Sequence, residues 1–402
     1  VAVKKLTAVE TDPKRSNQHE FQGIESLRAM LGEDDSRNIP ARFVWLSAEQ
    51  EALSEEGFVS WSNVRKGQII KKTGRPRSPE YHLYYSSNGV TEIMRPDDLA
   101  FFAKLSDGTM LVIIAPAAST MRSQMMWLFG IEEQGELDEY KDMERDGGAE
   151  ADFAARFVLD EIGIEIVEKE TETDRLDELL KKFGSKFPTT KVFSELARFS
   201  LTEVDPRDGA DAALLAWLER EEAMFKRLER KIVAERLESG FMAAGVADVD
   251  TFISYSLGIQ NRRKARAGQS LEHHVEAILT AFEIDHVRGA ETENKNKPDF
   301  LFPSAAKYHD PAFEATKLTM LGSKSTCKDR WRQVLSEASR IPEKHLLTLE
   351  PAISENQTDE MAAKKLQLVL PKGLHSTYKP AQQRWLWDVS GFIAYVKARQ
   401  DS

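Results

Sequence analysis

The sequence predicts a β-rich N-terminal domain over about residues 1–165, followed by an α/β domain toward the C-terminus. Between Ala41 and Ala118, short apolar runs rich in β-branched and aromatic residues alternate with turn formers. Beyond about residue 270, helix-period and strand-type segments alternate, as in a sheet covered by helices. A chain of 402 residues is also longer than one ordinary core accommodates.

In chain order, Ala41–Leu46, Tyr81–Tyr85, Leu99–Ala103 and Met110–Ala115 read as strands of a small mixed β-barrel or sandwich. Asp107-Gly108 between two of them signals a hairpin. Ile131–Glu150 then carries nine acidic residues against Lys141 and Arg145 and begins the handover between domains. Segments 151–161, 173–183 and 188–198 read as short helices, and 210–239 as a long charged one. Ser270 is placed to cap a helix whose apolar face is Leu271, Val275, Ile278, Leu279 and Phe282. Strands follow at Asp299–Phe302, Leu318–Leu321, Leu346–Leu349 and Leu366–Leu370. A helix is expected over about 329–340, and a closing helix through Trp385 and Val396.

No run approaches the ~20 apolar residues that cross a bilayer. A single cysteine, Cys327, excludes an intrachain disulfide framework, and with no signal-peptide pattern in view a cytoplasmic protein is expected. The net charge of −11 argues against a uniformly basic surface, but charge is unevenly spread. Asn261–Ser270 holds Arg262, Arg263, Lys264 and Arg266 with no acid. Neither a phosphate-binding Gly-x-x-x-x-Gly-Lys loop nor zinc-ligand spacing occurs, and Cys327 reads as a structural thiol.

The chemistry concentrates around Pro298-Asp299, Lys324 and Glu337. Phosphodiester hydrolysis needs a cation-holding carboxylate pair and a positive group at the nucleophile or transition state. Asp299 at a strand start, Lys324 at a strand end and Glu337 on the following helix supply that set for Mg²⁺, with Glu272 as a further carboxylate. Each residue alone has an ordinary reading, as turn, strand-edge charge or solvated helix face. Their ordered combination points to nuclease chemistry. Lys328-Asp329-Arg330 is the second constellation. Arg matches guanine O6 and N7 and Asp accepts from cytosine N4, although a capped helix start also explains the triplet. The basic run 262–266 suits phosphate contacts, against the ordinary reading of a solvated loop.

Three stretches carry a resemblance: Asn261-Arg-Arg-Lys-Ala-Arg-Ala-Gly-Gln-Ser-Leu-Glu272, Lys297-Pro-Asp-Phe-Leu-Phe-Pro-Ser304 and Ser325-Thr-Cys-Lys-Asp-Arg-Trp-Arg-Gln333. Together they resemble the catalytic domain of EcoRII-type restriction endonucleases, over roughly residues 185–402 after a linker at 166–184. The resemblance implies a restriction-endonuclease fold of the PD-(D/E)xK class, a homodimer and Mg²⁺-dependent cleavage of double-stranded DNA. It makes Asp299, Lys324, Glu337 and Glu272 catalytic, with metal held by Asp299 and Glu337. The usual carboxylate two residues before the lysine is replaced by Gly322, a departure the EcoRII-like group shares. Lys328, Asp329 and Arg330 match the group's base-reading triplet for the outer C·G pairs of a CC-centre-GG site. The group's central-base pocket has only a loose counterpart in Trp217, Arg220 and Phe225.

The N-terminal domain faintly resembles the EcoRII effector-binding pseudobarrel, with Arg65, Lys66, Lys71, Lys72, Arg75 and Arg77 as candidate DNA contacts. It is expected to restrain the nuclease, and the acidic segment 131–150 is either a DNA mimic over the cleft or a solvated linker. The rival readings are a modification-dependent or repair nuclease and a DNA-binding regulator with a decayed site.

Overall fold

The computed structural model describes residues 1–11, 19–46, 53–70, 73, 75–105, 107–117, 119–131, 149–161, 177, 179–243 and 246–401. The chain forms two compact units. One comprises Val1–Gly148, Ala155–Glu165 and Ala352–Ser354; the other comprises Ala149–Ala154, Ile166–Pro351 and Glu355–Ser402.

The first unit is built on one seven-stranded mixed sheet of β1 (Ala2–Lys5), β2 (Glu20–Gln22), β3 (Ser36–Trp45), β4 (Leu53–Asn63), β5 (Tyr81–Tyr85), β6 (Leu99–Lys104) and β7 (Met110–Ala115). The strand order is β1-β6-β7-β3-β4-β5-β2, with β3 parallel to β7. Apolar runs such as Met110–Ala115 are continuous because both faces of the central strands are covered. Phe43, Phe102 and Val112 enter one core, while Val44, Phe101 and Ile113 enter another with helix α1 (Thr120–Leu128). Strand β4 escaped the sequence reading because charged and polar residues interrupt its alternation, as in Ser54-Glu-Glu-Gly57.

In the second unit, α2 (Thr190–Ser200), α3 (Ala210–Glu238) and α4 (Val249–Ala281) pack together, with Phe193, Ala197, Met224, Phe225 and Leu228 in a shared core. A five-stranded sheet follows: β8 (Val287–Arg288), β9 (Phe300–Phe302), β10 (Thr319–Lys324), β11 (Lys344–Thr348) and β12 (Leu366–Val369), in that order. The first three strands run antiparallel, and β10, β11 and β12 run parallel. Helix α5 (Trp331–Val334) lies in the β10–β11 connection and α6 (Glu355–Ala363) in the β11–β12 connection. Closing helix α7 (Val389–Asp401) sets Phe392 against Phe302, ring centroids 5.8 Å apart.

Two expected boundaries are corrected. Ser270 caps nothing: it is buried within α4, which starts at Val249 behind Asp248. The Asp248 carboxylate accepts the Thr251 backbone N–H at 3.0 Å and its hydroxyl at 2.7 Å. The basic run 262–266 is therefore helical, not a loop. Its apolar period fails because polar pairs do the packing: Arg263 Nε donates to the buried Glu229 at 2.7 Å. The helix expected at 329–340 is also shorter, a 3₁₀ turn at Lys328–Arg330 leading into α5. Beyond Val334 the backbone takes i to i+3 turns, and Ala338 adopts a left-handed φ of 48°. The acidic segment lies almost entirely outside the described residues, as do Lys71, Lys72 and residues 173–176.

Candidate active site

Pairing of β9 with β10 sets Phe300 opposite Leu321 and so carries Asp299 to the backbone of Ser323. The Ser323 N–H donates to Asp299 Oδ2 at 2.6 Å, and Lys324 Nζ donates to the same oxygen at 2.7 Å. Both side chains are largely sequestered, 15% and 21% exposed. Gly322 shares the Lys324 face of β10 by the two-residue period of a strand. A Cβ there would stand 2.9 Å from Val334 Cγ2, so α5 fills the space a carboxylate would need.

The carboxylate arrives instead on Glu337, in the turn after α5. That turn is tied to the loop just ahead of Asp299. Asn296 Nδ2 donates to the Ser336 carbonyl at 2.9 Å, and the Ala338 and Ser339 N–H groups donate to Thr292 Oγ1 and Glu293 Oε2 at 3.4 and 3.1 Å. Lys344, 5% exposed on β11, donates to the Ala338 carbonyl at 2.6 Å and also to that of Glu337. Burial and the nearby Asp299 charge push the Glu337 carboxyl up to about 7, against the pull of Lys324 and Lys344. Its Oε2 is buried with no hydrogen-bond partner.

An orphaned carboxylate oxygen within the influence of a second carboxylate's charge fits a hard divalent cation. Among the described residues, no group of three or more His, Cys, Asp or Glu side chains has metal-holding spacing. Mg²⁺ does not require one, since one or two carboxylates with water and phosphate oxygens complete its shell.

Glu272 on α4 belongs to the same surroundings. Burial and the Asp299 charge raise its pKa, while Arg288, donating at 2.6 Å, pulls it down. Arg288 also holds Glu276 at 2.8 Å and His273 Nδ1 at 2.9 Å, locking this face of α4 to β8. Sequence reasoning singled out neither Arg288 nor Lys344, because neither stands in a motif.

The other candidates divide. Lys328 and Arg330 both lie on the 3₁₀ turn Lys328–Arg330, shortly after the Lys324 strand end, and the Asp329 side chain lies outside the described residues. Arg262, Arg263 and Lys264 are exposed on α4. Arg266 is not available for a phosphate: it is 7% exposed, bonded to Glu221 at 3.2 Å and to Glu222, and its guanidinium covers Phe225 at 4.1 Å. Trp217 and Phe225 are core residues, Trp217 packing against His274 at 5.8 Å. Cys327 is fully buried, and burial raises its thiol pKa, as suits a structural residue. In the first unit, Arg65 pairs with Glu80 and Lys66 with Asp35, the latter at 2.8 Å.

A family model described as EcoRII C terminal matches residues 225–393, a span that contains Asp299, Lys324, Glu337 and Glu272. Over 212 residues the chain is 42% identical to the type II restriction enzyme EcoRII of Escherichia coli, covering 52% of this chain and 50% of that protein. The chain thus spans about half the length of the curated relative it matches. Among solved structures, metal-depleted Ecl18kI in complex with uncleaved, modified DNA is 16% identical, covering 56% of this chain and 82% of that one, with a TM-score of 0.45. The restriction endonuclease PspGI–substrate DNA complex is 13% identical, covering 58% and 98%, with a TM-score of 0.45. No helix among the described residues is long and apolar enough to cross a membrane. The α/β segment 225–393, with its motifs in order, is the part of the chain similar to the EcoRII C-terminal family.

Proposed function

We propose that this chain is a type II restriction endonuclease, acting as a homodimer on double-stranded DNA at a short site flanked by C·G pairs. One observation carries the reading. Asp299, Lys324 and Glu337 come together at one sheet end, inside the segment 225–393 that the EcoRII C-terminal family model matches. Asp299 and Glu337 would hold Mg²⁺, which when bound neutralises charge on the scissile phosphate and makes a coordinated water more acidic. Lys324, fixed by Asp299, places its ammonium where the attacking oxygen and the phosphoryl oxygens gather charge. Glu272, held by Arg288, adds a third carboxylate at the edge of this site. Lys328, Asp329 and Arg330 read the outer C·G pairs, and Arg262, Arg263 and Lys264 approach phosphates.

The first unit is proposed to regulate cleavage, as a DNA-binding domain or by covering the nuclease. Its basic turns and separate β-rich composition support this part. The test of the whole reading is plasmid cleavage with Mg²⁺, followed by sequencing of the cut ends. Discrete ends at one short site are expected, and Lys324→Ala should abolish them. Random ends, or cutting by Lys324→Ala at the wild-type rate, would refute it.

A further inference from the structure

The loop that leads into the reading triplet is held from beneath by a buried acid. Glu350, 4% exposed just beyond β11, accepts the backbone N–H groups of Cys327 and Lys328 on one oxygen, Oε2, the second at 3.3 Å. Gln357 on α6 holds the other side, Nε2 donating to the Lys328 carbonyl at 2.9 Å. Glu350 is itself fixed, its N–H donating to Thr348 Oγ1 at 3.2 Å and its carbonyl accepting from Tyr378 Oη at 2.6 Å. Between these tethers Lys328 adopts φ of 38°, a left-handed conformation that a non-glycine residue keeps only when its surroundings impose it. The Arg330 N–H then closes on the Cys327 carbonyl at 2.8 Å, and its guanidinium on the Thr326 carbonyl at 3.0 Å.

We propose that Glu350 is a positioning residue for base recognition. It clamps the amides of Cys327 and Lys328, so that the left-handed turn at Lys328 aims the Lys328 and Arg330 side chains along fixed directions. Bidentate recognition of guanine tolerates little angular error, so a loosened loop costs discrimination before it costs phosphate-driven binding. The inference rests on the reading that Lys328–Arg330 contacts base edges.

The test uses the full chain in EDTA, with fluorescence anisotropy on three duplexes: the chain's own mapped site, that site with one outer C·G pair changed, and random sequence. Glu350→Ala and Glu350→Asp, which remove or shorten the acceptor, should lose about 10- to 100-fold of the discrimination between the first two duplexes. Binding to random DNA and its salt dependence should stay at wild-type values. Glu350→Gln, whose amide oxygen can accept both N–H groups, should keep discrimination within a few-fold of wild type. Wild-type discrimination by the Ala and Asp variants, or equal weakening on all three duplexes, would overturn the proposal. Failure of both variants to fold would overturn it too, since Glu350 would then be a folding element. Arg330→Ala, run in parallel, separates the two ideas. If it keeps full discrimination, base reading by the triplet falls; if it alone loses it, only the role of Glu350 falls.

Discussion

Glu337→Gln should stabilise the metal-free protein while destroying its cleavage. The carboxyl is pushed up to about 7 from an ordinary 4.5, so its charged form is disfavoured in the folded state. Between those values the folded chain binds more protons than the unfolded chain, and stability falls as pH rises. A gap of about 2.5 units at about 1.36 kcal/mol per unit gives an upper bound of about 3 kcal/mol at pH 8. At pH 5 the same linkage leaves less than about 1 kcal/mol. Glutamine copies the protonated shape and removes the penalty, so the variant should melt roughly 5–10 °C above wild type at pH 8 in EDTA, and only slightly above it at pH 5. Millimolar Mg²⁺ should raise the wild-type melting temperature at pH 8 by clearly more than that of the variant, which has lost one of the two carboxylates assigned to the ion. The assay is a thermal melt followed by tryptophan fluorescence, since Trp331 is buried beside this turn. A Gln variant less stable than wild type at pH 8, or an equal response of both to Mg²⁺, would refute the assignment of Glu337 as a strained cation ligand.

Lys324→Ala should lose cleavage yet bind the cognate duplex in EDTA with near wild-type affinity, as measured by anisotropy. Arg330→Ala should cost about 1–3 kcal/mol of discrimination at a C·G pair, read as the ratio of cognate to substituted-site affinity. His345 packs among Trp387, Phe392 and Tyr395, and burial depresses its pKa to about 4. It contributes stability that is present above about pH 6.5 and lost as pH falls toward 4, by up to about 3 kcal/mol, so His345→Leu should flatten acid unfolding in that window. A fragment of residues 175–402 should cut single-site DNA faster than the full chain; a folded fragment that cuts no faster would end the case for restraint by the first unit.

Residues whose identity the chemistry dictates were legible in the sequence. Asp299 and Lys324 announced themselves by type and spacing, and the structure joins them at 2.7 Å. Strands buried on both faces, such as Met110–Ala115, were equally plain, because a continuous apolar run has few alternatives. The residues missed inside α4 and behind the site share one physical cause. Periodicity reports apolar burial, and this molecule buries many polar side chains by pairing them. Arg266 and Glu221 occupy inward positions on α4 and α3, so the run 262–266 within a 33-residue helix also reads as a solvated loop. Lys344 and Glu350 stand in no motif, yet the Lys344 ammonium holds the Glu337 turn from inside and the Glu350 carboxylate accepts the Cys327 and Lys328 N–H groups. A residue that satisfies another buried polar group leaves no periodic mark, and its partner is tens of residues away in sequence. Candidate ligands can therefore be picked out in a sequence by residue type and order, while the side chains that aim them cannot. In this chain, substitutions at Arg288, Lys344 or Glu350 should disturb cleavage or discrimination although each motif residue stays intact.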